Sequence, residues 1–257
     1  MRWKDFFFCI AIICLVFLIG KIPVQDLLEY YSVPEAEDLR YIITGVVIIL
    51  ACVLIARSQI ILISGGFIRP IKKNYWMLIL PLLFPGLLLV ANFNVSCYNG
   101  WMAIGIAIFA ILIRGLMEEV VFRGVIQGYL SKQYPGKSLH KIIFVTAAFF
   151  ALVHFTNIQY SGIQNVLLQV IYAFYMGLFF GALMIKVNNV WLLGMAHGVI
   201  NFFSARCEEM QTGGQEMQNH LLTKIDIGSL LGMLLMFSPV LIIYWLLMIT
   251  NKPKPDM

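Results

Sequence analysis

Long apolar runs recur along almost the whole of this 257-residue chain, and they restrict its fold more than any other feature. They lie at about 6–23, 41–56, 75–93, 101–118, 142–156, 163–185, 190–204 and 227–249. A helix that spans a bilayer needs about 20 apolar residues. The chain is 61% hydrophobic and 12% charged, whereas soluble domains have roughly 45–50% apolar and 25% charged residues. The sequence therefore predicts an all-α, polytopic membrane bundle with about eight transmembrane helices.

The apolar runs also predict how the chain is organised. No Ala-x-Ala-like cleavage site follows residues 6–20, which favours a retained span over a cleaved signal. No repeat and no soluble domain is evident, so we expect one integral-membrane domain over residues 1–257. The fifth and seventh runs are short and contain His154 and His197. Because such helices persist where protein surrounds them, we place both in the interior of the bundle.

Charged residues in the loops predict the orientation. Most Lys and Arg residues fall in alternate loops, beginning with the N-terminal one, which predicts that both termini are cytoplasmic. These basic residues do not gather on one face, so the sequence does not predict a nucleic-acid partner. Residues 57–74 fit either an interfacial segment or an ordinary basic loop. A disulfide between Cys97 and Cys207 is left open.

Three charged residues close the fourth apolar run: Glu118, Glu119 and Arg123. A charge at the centre of a membrane helix costs roughly 2.5–3.5 kcal/mol on insertion scales, so such groups need partners, water or a function. Glu119 and Arg123 are four residues apart, within reach of an ion pair on one helix face. Glu118 is rotated by about 100° and has no partner on its own helix. An unpaired carboxylate in a poorly hydrated site suits a general base, while three charges reaching to water at a helix end are the alternative.

Two further polar motifs lie in later apolar runs. His154 ends the segment Phe150-Ala151-Leu152-Val153-His154. His197 and Asn201 share a helix face, and Gly194 and Gly198 flank the histidine in a spacing that lets helices approach closely. Each motif alone fits simple packing.

Together with Glu118, these motifs supply a base, a group that orients water and donors for an oxyanion. They also match the ligand types of a divalent metal ion. Arg114 lies in the fourth run as well, and the sequence predicts no role for it.

The order Glu-Glu-x-x-x-Arg, Phe-x-x-x-His and His-x-x-x-Asn resembles the CPBP family of intramembrane proteases. That family includes the type II CAAX prenyl endopeptidase and the bacterial Abi and bacteriocin-immunity proteins. The resemblance covers a core of about 101–205. It implies that Glu118 is the catalytic base, that His154 helps to hold the water, and that His197 and Asn201 form the oxyanion site. It further implies that Glu119, Arg123 and Phe150 support the site.

The resemblance implies an intramembrane endopeptidase that acts on a membrane-associated peptide or protein. The expected location is a multi-pass position in a cell membrane, the plasma membrane of a bacterium. Peptide or pheromone processing and bacteriocin self-immunity are the roles it suggests.

Cofactor use and two other functions are left open. No cofactor is predicted, because the chain lacks an HExxH motif, and this favours water activated by Glu118. A divalent metal such as zinc, held by Glu118, His154 and His197, is the alternative. A proton-coupled transporter could use the same Glu and His residues, but it predicts a polar path and an inverted repeat, and the sequence contains neither. A non-catalytic membrane scaffold is the third possibility.

Overall fold

The computed structural model describes residues 1–33, 35–68, 75–79, 100–135, 139–204 and 226–249. Across these ranges the chain is helical and has no β-strand, which confirms the all-α prediction. In chain order the elements are α1 (Trp3–Gly20), α2 (Val24–Tyr30), α3 (Ala36–Ser58), a 3₁₀ turn (Tyr75–Leu78), α4 (Trp101–Glu119), a π-helix (Val120–Gln127), α5 (Gly128–Gln133), α6 (Leu139–Leu152), a second 3₁₀ turn (Val153–Asn157), α7 (Ile158–Val187), α8 (Val190–Ser204) and α9 (Ile227–Ile249).

Five stretches of the described chain are long and apolar enough to cross a membrane. They are Trp3–Tyr30, Ala36–Ser58, Leu139–Asn157, Ser161–Val187 and Ile227–Ile249. Helix α8 is apolar but shorter, as its run predicted, whereas the fifth run belongs to a full-length span. The count of eight and the orientation stay predictions. Most of the run 75–93, together with Cys97 and Cys207, lies outside the described residues.

The chain divides into two compact units. The first comprises Met1–Gln133 and Val187–Gln211, and so contains α1 to α5, the π-helix and α8. The second comprises Tyr134–Lys186 and Thr212–Met257, and contains α6, most of α7 and α9. A single integral-membrane domain over 1–257 stays a prediction.

Helices α4 and α8 of the first unit approach each other so closely that only glycine fits at three positions. A Cβ atom on Gly115 of α4 would lie 2.5 Å from Cα of Gly198. On α8, a Cβ on Gly198 would lie 2.8 Å from Cα of Leu112, and one on Gly194 would lie 2.7 Å from Cα of Leu116. The close helix approach predicted from the Gly194 and Gly198 spacing is therefore confirmed.

A turn segment, residues 59–68, packs against the π-helix and the start of α8 in the same unit. Gly65 meets the backbone of Gly124, and the Phe67 ring covers Gly124, where an added Cβ would lie 2.6 Å from the ring. The Trp191 indole N–H donates to the carbonyl of Phe67 at 3.0 Å. The sequence predicted either an interfacial segment or an ordinary basic loop for residues 57–74. It did not predict the packing of this segment against the π-helix and α8. Ile60, Ile63 and Ile68 on the same segment are exposed, so its interfacial character stays a prediction.

A buried carboxylate fastens α1 to the far end of the π-helix. Asp5 is 0% exposed. It accepts a hydrogen bond from the hydroxyl of Tyr129 at 3.1 Å and pairs with Arg2 at 3.0 Å. The Phe8 ring stacks on Tyr129 with 3.9 Å between ring centroids. Tyr129 belongs to α5, which continues directly from the π-helix, so this contact restrains the helix that carries Glu118.

The second unit has its own close packing. Helix α7 breaks at Gly162, whose φ of 69° favours glycine. Gly177 of α7 lies against α6, where an added Cβ would be 2.9 Å from Cα of Ala147. The hydroxyl of Tyr175 donates to the carbonyl of Leu234 at 3.3 Å and ties α7 to α9.

Asp226 caps the N-terminus of α9. Its carboxylate accepts the N–H of Gly228 at 3.0 Å, the N–H of Ser229 at 3.1 Å, and the Ser229 hydroxyl. These hydrogen bonds, chiefly the two from Ser229, lower the pKa of the Asp226 carboxyl below its usual 3.8. The cap therefore acts when Asp226 is ionised, so its contribution is complete above pH 3.8 and is lost as the pH falls through the lowered pKa.

We expect Asp226→Ala to speed amide hydrogen exchange in the first turn of α9 at pH 7, because the orphan N–H groups lose their acceptor. The difference from the wild type should close as the pH falls below 3.8. Exchange followed by mass spectrometry over this pH range measures both effects. Asp26→Ala, in the first turn of α2, is the matched control and should leave α9 unchanged. A difference that persists in strong acid would contradict the cap.

Candidate active site

The two adjacent glutamates end α4, and the chain then continues as a π-helix from Val120 to Gln127. All eight residues of this π-helix are buried, including Arg123. Segments of this type are rare and occur often at functional sites. The sequence Val-Val-Phe-Arg-Gly-Val-Ile-Gln contains no feature that distinguishes it from an ordinary α-helix, so sequence reasoning missed it.

Glu119 and Arg123 form a buried ion pair, as their spacing predicted. The Arg123 Nε atom lies 3.3 Å from Oε2 of Glu119, and both side chains are 0% exposed. Removing one member of such a pair strands the other charge in a low-dielectric interior. Each of the two side chains therefore needs the other to neutralise its buried charge.

His197 of α8 lies against both glutamates of α4. Its Nδ1 atom is 2.8 Å from Oε1 of Glu119, and its Nε2 atom is 3.6 Å from Oε2 of Glu118. The first distance is that of a hydrogen bond in which Nδ1–H donates to the carboxylate, whereas the second is too long for one. Glu119 thus holds the imidazole ring and turns Nε2 towards Glu118. This tie between α4 and α8 was not predicted from the sequence.

Solvent exposure separates the two glutamates. The Glu118 side chain is 21% exposed, while that of Glu119 is 0% exposed. Part of the Glu118 side chain is therefore accessible from outside the protein, whereas Glu119 is enclosed by Arg123 and His197. Two different environments for adjacent carboxylates agree with the separate roles expected from their spacing.

The remaining predicted site residues lie in different parts of the fold. Asn201 is one turn after His197 on α8 and is partly exposed. Phe150 and His154 belong to the second unit. There the Nδ1–H of His154 donates to the carbonyl of Phe150 at 2.8 Å, and the two rings meet edge to face at 5.1 Å. This hydrogen bond leaves Nε2 as the nitrogen of His154 that carries the lone pair when the ring is neutral.

Comparison with known proteins gives one family. Residues 99–203 match the family model described as type II CAAX prenyl endopeptidase Rce1-like. This segment is similar to the Rce1-like family. The resemblance inferred from the three motifs is therefore confirmed. No curated protein matches the chain, and no solved structure matches it.

The Rce1-like segment contains every site residue predicted from the sequence. It begins just before α4 and ends within α8, so it draws on both compact units. Its family is one of proteases, which supports a peptidase set among membrane helices. Within the described part of the chain, no group of three His, Cys, Asp or Glu side chains could hold a metal ion.

Proposed function

We propose that the chain is an intramembrane endopeptidase that hydrolyses a peptide bond of a membrane-associated peptide or protein. The observation that carries this proposal is the cluster of Glu118, Glu119, Arg123 and His197 at the contact of α4 and α8. It combines one partly exposed carboxylate with three buried groups that hold one another in place. The match to a protease family supports the same reaction class.

In the proposed reaction, Glu118 acts as the general base. Its carboxylate takes a proton from a water molecule while the water oxygen attacks the carbonyl carbon of the scissile bond. The tetrahedral intermediate collapses, the C–N bond breaks, and the proton passes from Glu118 to the leaving amine. The products are a new carboxyl terminus and a new amino terminus.

His197 is proposed to stabilise the oxyanion. Glu118 and Glu119 carry two negative charges when ionised, and Arg123 supplies one positive charge. A protonated His197 makes the cluster electrically neutral, which favours its burial. In that form Nδ1–H donates to Glu119 at 2.8 Å, and Nε2–H, 3.6 Å from Glu118, would donate to a developing oxyanion beside it.

Asn201 and His154 complete the proposal on the strength of the family resemblance. Asn201, one turn beyond His197, would offer its amide N–H to the same oxyanion. His154 would hold the attacking water through Nε2, since its Nδ1 is committed to Phe150. A bacterial plasma membrane as the location, and peptide processing or bacteriocin self-immunity as the role, rest on that resemblance alone.

Hydrolysis can be tested with isotopically labelled water. The purified protein in liposomes is incubated with membrane-associated peptides in H₂¹⁸O, and the products are analysed by mass spectrometry. We expect fragments with one ¹⁸O atom in the new terminal carboxylate, and far fewer of them from liposomes with Glu118→Gln. Cleavage by Glu118→Gln at the wild-type rate would reject Glu118 as the base. Proton flux that depends on Glu118, without any cleavage, would replace the protease by a transporter.

The same assay, repeated with a metal chelator, tests the alternative of a metal-dependent mechanism. Because the mechanism above uses side chains alone, we expect the rate to be unchanged after treatment with a chelator. Activity that is lost on chelation and restored by Zn²⁺ would contradict the metal-independent mechanism while leaving the protease activity intact.

A further inference from the structure

Two arginines of the first unit stack on one tyrosine ring. The guanidinium carbon of Arg40 lies 4.2 Å from the ring centroid of Tyr41, and that of Arg114 lies 3.9 Å from it. Arg40 and Tyr41 belong to α3, whereas Arg114 comes from α4. All three side chains are partly exposed, so a ligand can reach them. Stacking fixes the plane of each guanidinium and leaves its N–H edge to face an anion.

Within the described part of the chain, no carboxylate lies within 4.0 Å of either cation. Among the described residues, the ion pairs within 4.0 Å involve other groups, namely Arg2, Arg123 and His197. Asp38 acts on Arg114 only at longer range. The Nε atom of Arg40 is buried and has no hydrogen-bond partner in the described part of the chain. The two guanidiniums at this membrane helix can therefore pair with an added anion.

The surface of α3 beyond Arg40 is apolar and exposed. Residues at intervals of three and four continue the helix face of Arg40, and each is an exposed aliphatic side chain: Ile43, Val47, Leu50 and Leu54. Helix α3 is long and apolar enough to span the membrane, and Arg40 lies in its second turn. Tyrosine is typical of the membrane–water boundary. This surface thus has positive charge near the start of α3 and exposed apolar side chains beyond it. Such an arrangement suits an amphiphile with an anionic head group and an apolar tail.

We propose that Arg40, Tyr41 and Arg114 bind the phosphate of one anionic phospholipid, whose acyl chain lies along the Ile43-to-Leu54 stripe. Guanidinium groups bind phosphate oxygens through paired, charge-assisted hydrogen bonds, which explains why arginine stands at both positions. The phosphate would neutralise two cations that have no carboxylate within 4.0 Å among the described residues. This site also gives Arg114, whose role the sequence did not predict, a ligand.

The site lies close to the proposed reaction centre. Arg114 precedes Glu118 by one helical turn on α4, a rise of about 6 Å. A lipid bound to Arg114 therefore contacts the helix that carries Glu118. The lipid site itself does not depend on the protease proposal, because its test measures binding.

Native mass spectrometry of the full chain in detergent tests the site. We expect phosphatidylglycerol to bind more tightly than phosphatidylcholine, and the double variant Arg40→Gln/Arg114→Gln to bind phosphatidylglycerol roughly tenfold more weakly, since it loses charged hydrogen bonds to phosphate. Arg57→Gln, an exposed charge in the last turn of α3, is the matched control and should bind like the wild type. Tyr41→Phe keeps the ring and should also retain binding.

Three results would overturn the proposal. The first is equal phosphatidylglycerol binding by the wild type and a double variant that elutes as a folded monodisperse species. The second is full displacement of the lipid by glycerol phosphate, which has no acyl chain. The third is unchanged lipid binding with a loss of cleavage confined to peptides that have a free terminal carboxylate, which would assign the arginines to the substrate. If the double variant does not fold, the single variants Arg40→Gln and Arg114→Gln provide the same comparison.

Discussion

Glu118→Gln is expected to lower the rate of peptide hydrolysis by about a thousandfold, within the usual range for loss of a general base, and to leave the melting temperature of the protein unchanged. The amide has the shape of the carboxylate but cannot take a proton from water. Glu118 is partly exposed and lies 3.6 Å from His197, so its replacement strands no hydrogen-bond donor. The two measurements are the initial cleavage rate in liposomes and the thermal unfolding of the same preparation in detergent.

The neighbouring substitution, Glu119→Gln, is expected to lower stability as well as activity. Arg123, which is 0% exposed, would lose its counter-charge, and His197 would lose the acceptor of its Nδ1–H. Breaking a buried ion pair costs about 3–5 kcal/mol. Glu37→Gln, an exposed carboxylate at the start of α3, is the control and should change neither quantity. If Glu118→Gln is active while Glu119→Gln is fully stable but inactive, then the roles of general base and structural partner are reversed between the two glutamates.

The contrast between these glutamates was predictable in part. Spacing along one helix is fixed by the chain, so the Glu119–Arg123 pair and the separation of Glu118 followed from residue numbers alone. The hydrogen bond from His197 to Glu119 joins residues 78 positions apart. Such a contact depends on how α4 and α8 meet, and the sequence indicated only that glycines permit a close approach.

Other features had no local signal. The π-helix follows α4 without a proline or any other residue that would mark it, and the packing of Phe67 over Gly124 arises between distant segments. Gly65 and Gly66 were recognisable only as residues that break helices. The burial of Asp5 depends on its contact with Tyr129, 124 residues away. Each of these features depends on tertiary contacts, and the periodicity of apolar residues in the sequence does not reveal such contacts.

Gly115→Ala should test whether the close approach of α4 and α8 sets the site. The new Cβ would lie 2.5 Å from Cα of Gly198, and backbone atoms on α8 cannot turn away as a flexible side chain could. The helices must therefore separate. His197 adjoins Gly198, so its ring would move away from both glutamates of α4. A displacement of about 1 Å at a reaction centre can cost on the order of a hundredfold in rate, and overpacking costs about 1–3 kcal/mol.

Gly105→Ala on the same helix provides the control for this substitution, because a Cβ there meets nothing within 4 Å. Alanine also favours helix over glycine by roughly 0.5–1 kcal/mol, so this variant should be active and as stable as the wild type or slightly more so. Cleavage rates and melting temperatures of the two variants give the comparison. If Gly115→Ala is as active as Gly105→Ala, then the contact at Gly115 does not position His197, and other contacts of the imidazole, including its hydrogen bond to Glu119, must hold it.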